Sequence, residues 1–290
     1  MNEFTVLMSV YKGDNAAHLI RALESISFEQ TLKPKQIVLV IDGFVADEIK
    51  EAILGFEERL DGAIKFTVVT KQQNEGLAAA LNTGLGVCET ELVARMDSDD
   101  ISLPERFALQ IKYLDEHPEI SVLGGNILEF EQDENIIADK REVPSEHEAI
   151  VKMLKTRNAL NHMSVMFRKS VIAEVGGYCT DFGKLEDYKL WVDVVVANYK
   201  IHNLSENLVK ARTGNGFLDR RNNKREIEDW DMLQSYLLSV GMIKKSKARK
   251  NKLYIRAFIY TPKWVKKILY KTVLRKKVTI NGSKKNEQKN

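Results

Sequence analysis

The sequence has little cysteine and no long apolar run, and both absences narrow the class of protein. Cys88 and Cys179 are the only cysteines. They are too few for a disulfide framework or a cysteine zinc site, so both are expected to be reduced thiols. No segment approaches the roughly 18 uninterrupted apolar residues of a membrane-spanning helix. Residues 1–4 lead directly into a strand-like stretch, without the basic region, apolar core and cleavage site of a signal peptide. These absences predict a cytoplasmic protein.

Acidic residues are almost missing from the C-terminal end. From Lys244 to Asn290 the chain has 17 lysines and arginines and a single acid, Glu287, which gives a net charge of +16. The whole chain carries a formal net charge of +3, so residues 1–243 carry −13. The sequence therefore predicts an acidic body with a basic C-terminal tail.

Strand and helix patterns alternate through the first half. The 290 residues, 44% hydrophobic and 29% charged, suffice for one large domain or two small ones. The alternation predicts an α/β protein with a mainly parallel central sheet covered by helices. Predicted strands are residues 5–10, 37–41, 66–69 and 91–96, and predicted helices cover residues 19–26, 49–56 and 77–85, with another from about Pro104.

The second half is less regular. Strands are predicted at residues 120–123 and 164–167, and helices at 147–154, 169–175 and from about Glu186. Gly176 and Gly177 are expected to end the helix at 169–175. After about Gly216 the chain becomes charged and helical, with no obvious strand.

Asp97, Ser98, Asp99 and Asp100 directly follow an apolar strand pattern. Carboxylates this close repel one another unless a cation neutralises them, and oxygen ligands at a strand end suit Mg²⁺ or Mn²⁺ carrying substrate phosphates. A solvated acidic loop before a helix is the alternative interpretation of these four residues.

Two other predicted strands end in polar residues at the same edge of the sheet. Strand one ends at Tyr11 and strand two at Asp42 and Gly43. Because ligands bind beyond the carboxyl ends of parallel strands, Tyr11 is a candidate to stack on a nucleobase and Asp42 to accept from the base or ribose. Taken singly, the same residues fit an edge aromatic and a plain turn.

Six ordered motifs resemble glycosyltransferase family 2, specifically the bacterial enzymes that build O-antigen and capsule repeat units. The resemblance covers residues 4–215. The motifs are Val6-Leu7-Met8-Ser9-Val10-Tyr11-Lys12, Ile41-Asp42-Gly43, Asn74-Glu75-Gly76-Leu77 with Asn82, Arg95-Met96-Asp97-Ser98-Asp99-Asp100, Asn161-His162, and Glu186-Asp187-Tyr188-Lys189-Leu190-Trp191.

The resemblance implies a Rossmann-like, nucleotide-binding A-type glycosyltransferase fold and a nucleotide-sugar donor. It also implies Mn²⁺ or Mg²⁺ held by Asp97 and Asp99, and inversion at the anomeric carbon. An inverting transfer needs a base for the acceptor hydroxyl. Glu186 and Asp187 are the candidates, and because neighbours on a helix point in different directions only one can face the substrate. The resemblance assigns this role to Asp187; an acidic helix start is the alternative.

Further residues are expected around the donor. Arg95 and Arg212 are candidates to steady phosphate charge, with pairing to a carboxylate as the alternative for Arg95. His162 is expected to touch the metal or the diphosphate, or else to be an ordinary hydrogen-bonded histidine. Asn74, Gly76 and Asn82 are expected to shape the loop and helix beside the donor sugar.

The basic tail suggests a membrane surface. Trp264, Val265, Ile268, Leu269 and Val273 recur at helical spacing, with lysines on the other side. A basic amphipathic helix of this kind suits an anionic membrane. Packing on the body or in a dimer is the alternative, and residues 284–290 are expected to be a solvated end.

These observations predict a glycosyltransferase acting at the cytoplasmic face of the plasma membrane. The expected donor is UDP-hexose, with glucose or galactose favoured, and the expected acceptor is a sugar on polyprenyl diphosphate. Residues 1–215 are expected to be catalytic, divided into a nucleotide-sugar half (1–100) and an acceptor half (101–215), and residues 216–290 a helical basic extension. The alternatives are a haloacid dehalogenase type phosphatase and a nucleic-acid binder using the basic tail. The acidic body argues against nucleic acid, and the oligomeric state is left open.

Overall fold

The computed structural model describes residues 3–60, 62–213, 224–261 and 265. Within these residues the strands are β1 (Phe4–Val10), β2 (Gln36–Ile41), β3 (Lys65–Thr70), β4 (Leu92–Arg95), β5 (Ile101–Ser102), β6 (Ile120–Phe130), β7 (Ile137–Arg141), β8 (Met166–Arg168) and β9 (Lys200–Arg212). The helices are α1 (Ala16–Ser25), α2 (Asp47–Arg59), α3 (Leu77–Val87), α4 (Arg106–Glu116), α5 (His147–Leu154), α6 (Lys169–Glu174), α7 (Glu186–Val196), α8 (Lys224–Ser239) and α9 (Lys245–Tyr260).

One mixed sheet organises the molecule, in the order β3-β2-β1-β4-β8-β6-β9-β5, with β7 paired to β6. The first four strands are all parallel, as the alternating sequence pattern predicted. Beyond β4 the sheet becomes mixed, because β8 runs antiparallel to both β4 and β6, whereas β6 and β9 are parallel. The α/β class is therefore confirmed, with the parallel strands confined to the first half of the sheet and to the pair of β6 and β9.

Two apolar layers cover the two faces of the sheet. On β1, Val6 and Met8 face one core together with residues of α1, α2 and α4. Leu7 points to the opposite face, where it joins residues of α3, α5, α6 and α7. Successive side chains of a strand point to opposite faces of the sheet, so a central strand that is covered on both faces has a continuous run of apolar residues in its sequence. This explains why the sequence located β1 and β2 well.

The second half contains strands that the sequence analysis missed. β6 continues to Phe130, well beyond the predicted end at residue 123, and β5, β7 and the 13-residue β9 were not predicted. β9 lacks regular alternation because its pairing with β6 shifts register where Gly125 pairs with Leu204 and the next residue, Asn126, pairs with Asn207. Such a bulge places extra residues on one strand and breaks the period of two on which strand prediction depends.

The described C-terminal helices share the second core. Leu233 and Leu237 of α8, together with Ile243 and Ala248, are buried in the cluster that also holds Trp191 of α7. The boundary predicted at residues 215 and 216 falls among residues that the structure does not describe, as does the tail helix at 264–273 apart from Val265, and residues 284–290. Among the described helices, none has the length and apolar character needed to cross a membrane.

Candidate active site at the ends of the parallel strands

Carboxylates converge where β1 and β4 end side by side. β2 and β3 lie on one side of β1, and β4 lies on the other side. The strand order therefore reverses between β1 and β4, and open α/β sheets bind ligands at such a switch point. Burial raises the pKa of Asp99 to about 6, and the negative charges of Asp97 and Asp14 add to the rise. Asp14 also hydrogen-bonds Ser98. The site thus holds three carboxylates, one of which, Asp14, the sequence analysis did not assign.

Asp100 has a different role from its two acidic neighbours. It is only 3% exposed, and its Oδ1 accepts the backbone N–H of Arg212 at 2.8 Å. The Arg212 side chain also contacts the acidic loop, because its Nε donates to the Asp99 carbonyl at 3.1 Å. Its Cζ lies 4.5 Å from the centre of the Phe130 ring. Arg212 therefore joins the end of β9 to the acidic loop. Its predicted role toward phosphate stays a prediction.

Arg95 lies beneath the acidic loop. It is 2% exposed and forms an ion pair with Oδ1 of Asp97, which is the pairing considered as an alternative from the sequence. Its Nε and Nη1 have no hydrogen-bond partner among the described residues. A buried guanidinium with spare donors beside a carboxylate cluster can hold Asp97 in place and attract further negative charge.

The donor set fits a divalent cation that is shared with a substrate. Among the described residues, no three histidine, cysteine or acidic side chains are grouped closely enough to hold a metal on their own. Mg²⁺ usually binds through one or two carboxylates plus substrate phosphates and waters. Asp97 and Asp99 match that requirement. Burial and the nearby charges of Asp97 and Asp14 raise the pKa of Asp99, and a cation held by the two carboxylates would offset that repulsion.

Asp42 anchors the loop before α3. The carboxylate is 3% exposed and accepts the backbone N–H groups of Glu75 at 3.0 Å and Gly76 at 2.8 Å, and the side-chain amide of Asn74 at 2.9 Å. Lys71 Nζ lies 3.8 Å away. Asp42, Asn74 and Gly76 are therefore brought together as one loop anchor, as expected for Asn74 and Gly76. The predicted contact of Asp42 with a base or ribose stays a prediction.

Two aromatic side chains flank this edge. Tyr11 is 42% exposed and its ring lies over Gly13, where an added Cβ would come within 2.5 Å of the phenol. Phe44, which the sequence analysis did not assign, directly follows Gly43 and is 76% exposed. Exposed aromatic rings at this edge of the sheet can stack on a planar ring of a ligand. A bulky residue after an Asp-Gly turn was the available sequence signal for Phe44.

We expect Gly43→Ala to destabilise the protein by about 2–4 kcal/mol, since it combines backbone strain with a steric clash. Gly43 has φ +83°, and a Cβ there would meet the Asn74 backbone nitrogen at 2.5 Å. Gly62 has φ +80° with no atom within 4 Å of its Cβ position. Gly62→Ala is thus the matched control and should cost about 1 kcal/mol. Urea unfolding measures both, and equal losses would contradict the close packing at Gly43.

Asn82 and His162 belong to one buried network. Asn82 donates to the Tyr178 carbonyl at 2.7 Å and accepts the Tyr178 N–H at 2.9 Å. The Tyr178 hydroxyl lies 2.9 Å from Nε2 of His162, whose ring also contacts Trp191 edge-on. Burial, with the nearby positive charge of Arg95, lowers the pKa of His162 well below its usual value. His162 is therefore neutral and hydrogen-bonded; its predicted contact with metal or diphosphate stays a prediction.

Two acids at the start of α7 complete the site. Burial and the charge of Asp187 raise the pKa of Glu186 to about 8, and Glu186 Oε2 is buried without a hydrogen-bond partner. Burial also raises the pKa of Asp187, but hydrogen bonds from the Tyr188 N–H at 2.7 Å and from Nδ2 of Asn158 at 2.6 Å oppose the rise. The raised pKa thus favours the protonated form of Glu186 near neutral pH, whereas the two hydrogen bonds to Asp187 favour its ionised form.

Arg95 lies near all these acids. Besides its ion pair with Asp97, its charge opposes the burial-driven rise in pKa of Asp99, Glu186 and Asp187. The end of β4 at Arg95 and the start of α7 at Glu186, which are 91 residues apart in sequence, thus form one electrostatic unit. Asn158, Tyr178 and Asp14 belong to it without having been predicted, because no local sequence pattern marks a residue that acts only through tertiary contact.

Comparisons with known proteins agree with this architecture. The sequence model of the family described as Glycosyl transferase family 2 matches residues 5–174. The chain is 34% identical over 257 residues to the amylovoran biosynthesis glycosyltransferase AmsE of Erwinia amylovora, covering 89% of this chain and 90% of that protein. It is 34% identical over 222 residues to the Escherichia coli UDP-Gal:alpha-D-GlcNAc-diphosphoundecaprenol beta-1,3-galactosyltransferase, covering 76% and 77% of the two chains.

A solved structure shares the fold. The mannosyltransferase PcManGT from Pyrobaculum calidifontis, in complex with GDP-Man and Mn²⁺, superposes with a TM-score of 0.63 at 18% identity, covering 89% of this chain and 70% of that one. At this identity the likeness establishes the A-type glycosyltransferase architecture, which confirms the fold predicted from the sequence motifs.

Proposed function

The chain belongs to glycosyltransferase family 2, and we propose that it transfers a hexose, with inversion, from a UDP-sugar to a sugar carried on polyprenyl diphosphate. Glucose and galactose are favoured over N-acetylhexosamines, and the product is a repeat unit of O-antigen or capsule. The observation that carries the proposal is the gathering of Asp97, Asp99 and Asp187 around the buried Arg95. This arrangement would offer a metal-diphosphate site and a base close to each other.

The donor proposal draws on the strand-end aromatics and on the relatives. Tyr11 and the neighbouring Phe44 are placed to stack on a base beside the anchored loop at Asp42. One similar protein is described as using UDP-galactose, with GlcNAc-diphosphoundecaprenol in its name as acceptor. The aromatic rings are compatible with any nucleobase, and the similar protein favours a uridine diphosphate sugar.

Asp97 and Asp99 would hold Mn²⁺ or Mg²⁺ together with oxygens of the donor diphosphate. The ion would supply Lewis-acid stabilisation of the leaving diphosphate. Arg95 holds Asp97 by its ion pair, and the backbone N–H of Arg212 holds Asp100, so the acidic loop is positioned before any substrate arrives. Preorganised charge of this kind is usually the largest contribution to rate.

Asp187 is proposed as the base that removes the acceptor proton. The Asn158 amide and the Tyr188 N–H orient its carboxylate and stabilise the ionised form. A base must be ionised in the resting enzyme and within hydrogen-bond reach of the hydroxyl it activates. Glu186, which holds its own proton near neutral pH, does not meet the first condition.

The alternatives from the sequence are set aside on different grounds. Because the chain belongs to glycosyltransferase family 2, the alternative of a haloacid dehalogenase type phosphatase is rejected. We propose no nucleic-acid partner, since residues 1–243, which contain the whole site, carry a net charge of −13. We further propose a peripheral position on the inner face of the plasma membrane, in keeping with a lipid-linked acceptor and the +16 C-terminal segment.

A panel of nucleotide sugars tests the donor. With Mn²⁺ present, UDP-galactose or UDP-glucose should raise the midpoint of thermal unfolding, because a ligand at 100 times its dissociation constant stabilises the folded state by about 2.7 kcal/mol. GDP-mannose serves as the mismatched nucleotide. A shift with GDP-mannose and none with any UDP-sugar would contradict the donor, and a shift that is equal without Mn²⁺ would contradict the metal.

A further inference from the structure

Helix α9 carries an unusual exposed face. Its 16 residues include six lysines and arginines and no acid. Ala248 and Asn251 are buried against the body, whereas Leu253, Tyr254 and Tyr260 are 67%, 60% and 75% exposed. Large apolar side chains this exposed on one short helix, opposite its buried side, mark an interaction surface more often than chance exposure.

The exposed residues form a stripe bordered by cations. At 100° per residue, Leu253, Ala257 and Tyr260 lie along one line, with Tyr254 beside it. Arg249 borders the stripe on the side of Tyr260. Lys250 lies between Leu253 and Tyr254, and its Nζ is 5.5 Å from the centre of the Tyr254 ring. This is the pattern of a helix that lies flat in a lipid interface, with amphipathic rings at headgroup depth and cations around them.

Several of these cations have no acidic partner within the described residues. Arg256 and Lys252 turn toward Asp231 of α8, with which Arg256 forms an ion pair. Lys245, Lys247, Arg249 and Lys250 form no ion pair among the residues that the structure describes. Unpaired positive charge around an apolar stripe is complementary to an anionic lipid surface, and each well-placed cation contributes about 1 kcal/mol there.

Helix α9 is hydrogen-bonded to the body near the segment that supports Asp187. Asn251 donates to the Lys155 carbonyl at 2.9 Å and to Gln234 Oε1 at 2.7 Å. Three residues beyond Lys155, Asn158 donates to the Asp187 carboxylate. Tyr188 of α7 also packs edge-on against Trp230 of α8. These contacts join α9 and α8 to the segment and the helix that carry Asn158 and Asp187.

We propose that the stripe of Leu253, Tyr254 and Tyr260 seats α9 on an anionic lipid surface, and so holds the segment that supports Asp187 near that surface. The lipid contact is distinct from the tail at residues 264–273. Its benefit for catalysis depends on the proposed lipid-linked acceptor, whereas the lipid contact itself does not. A second copy of the chain or the residues beyond 261 are the competing occupants of this face.

Flotation of the full chain with vesicles tests the contact. Vesicles of equal parts phosphatidylcholine and phosphatidylglycerol should retain the protein, and phosphatidylcholine vesicles should not. Replacing Leu253, Tyr254 and Tyr260 together by Ser should weaken binding by at least about tenfold, since three interfacial apolar side chains are lost. Leu54→Ser is the matched control, because Leu54 is 59% exposed on α2. It should bind like the wild type.

Each other outcome counts against the proposal. If the triple variant bound the anionic vesicles as well as the wild type does, the lipid contact would belong to the tail and not to α9. If the wild type bound both kinds of vesicle equally, the proposed attraction between the cations of α9 and anionic lipid would be wrong. Loss of self-association without loss of vesicle binding would make the face a dimer interface. All three residues are exposed, so unchanged thermal unfolding of the variant is expected and is checked. Transfer to a short soluble acceptor separates the two proposals: its absence in the wild type would contradict the function, with the vesicle result unaffected.

Discussion

Asp97→Asn and Asp99→Asn should each abolish metal-dependent binding of the nucleotide sugar while leaving the fold nearly intact. Each substitution removes one of two carboxylates proposed to bind the ion, and a single carboxylate with substrate phosphates is a poor site. Little stability should be lost in Asp99→Asn, because burial and the charges of Asp97 and Asp14 already raise the pKa of Asp99 to about 6. Removing one of several mutually repelling charges relieves that repulsion. Asp97→Asn also removes the ion-pair partner of the buried Arg95 and should cost more stability. Calorimetry with UDP and Mn²⁺ measures the affinity, and urea unfolding the stability.

Asp100→Asn is the matched control for this pair. The side chain lies in the same loop, yet its Oδ1 accepts the Arg212 N–H, a bond that an amide oxygen can keep. We expect metal-dependent affinity within a few-fold of the wild type. Unchanged affinity in both Asp97→Asn and Asp99→Asn would remove the metal assignment. A loss in Asp100→Asn as large as theirs would mean that loop geometry, not coordination, controls binding.

The parallel half of the fold could be predicted because its signals are local. β1 and β2 are continuous apolar runs, and the helices between them show one buried stripe each. β9 could not be predicted, because residues 205 and 206 fall where its pairing with β6 shifts register and several of its side chains are polar. The pairing partner that stabilises β9 is β6, about 80 residues earlier, and no window of sequence contains both.

The candidate site divides in the same way. Asp97, Asp99 and Asp187 could be predicted from the sequence, because acidic residues at a strand end suit a metal and acidic residues at a helix start are favoured by the helix dipole. Their supports do not stand out: the Arg212 N–H reaches Asp100 across 112 residues, and Asn158 reaches Asp187 across 29. Asn82 was placed beside the donor sugar from the sequence, whereas its observed partner is the Tyr178 backbone. Tertiary contacts of this kind are invisible to spacing rules.

Asp187→Asn should lower turnover by about 10² to 10⁴, the usual contribution of a positioned general base, while donor affinity stays near normal. The Asn158 amide and the Tyr188 N–H hold this carboxylate in its ionised form at the start of α7. An amide at position 187 keeps the shape of the side chain but cannot take the acceptor proton. Initial rates with saturating donor, together with UDP-sugar affinity from calorimetry, separate lost chemistry from lost binding.

Glu186→Gln is the control that distinguishes the two neighbouring acids. Burial and the charge of Asp187 raise the pKa of Glu186 to about 8, so its carboxyl is protonated near neutral pH. A neutral glutamine amide resembles that protonated form, and most of the turnover should therefore survive. If Asp187→Asn were fully active, the proposed mechanism would be wrong. If Glu186→Gln were inactive and Asp187→Asn active, the base would be Glu186, and the proton would have to reside on Asp187 despite the two hydrogen bonds that favour its ionised form.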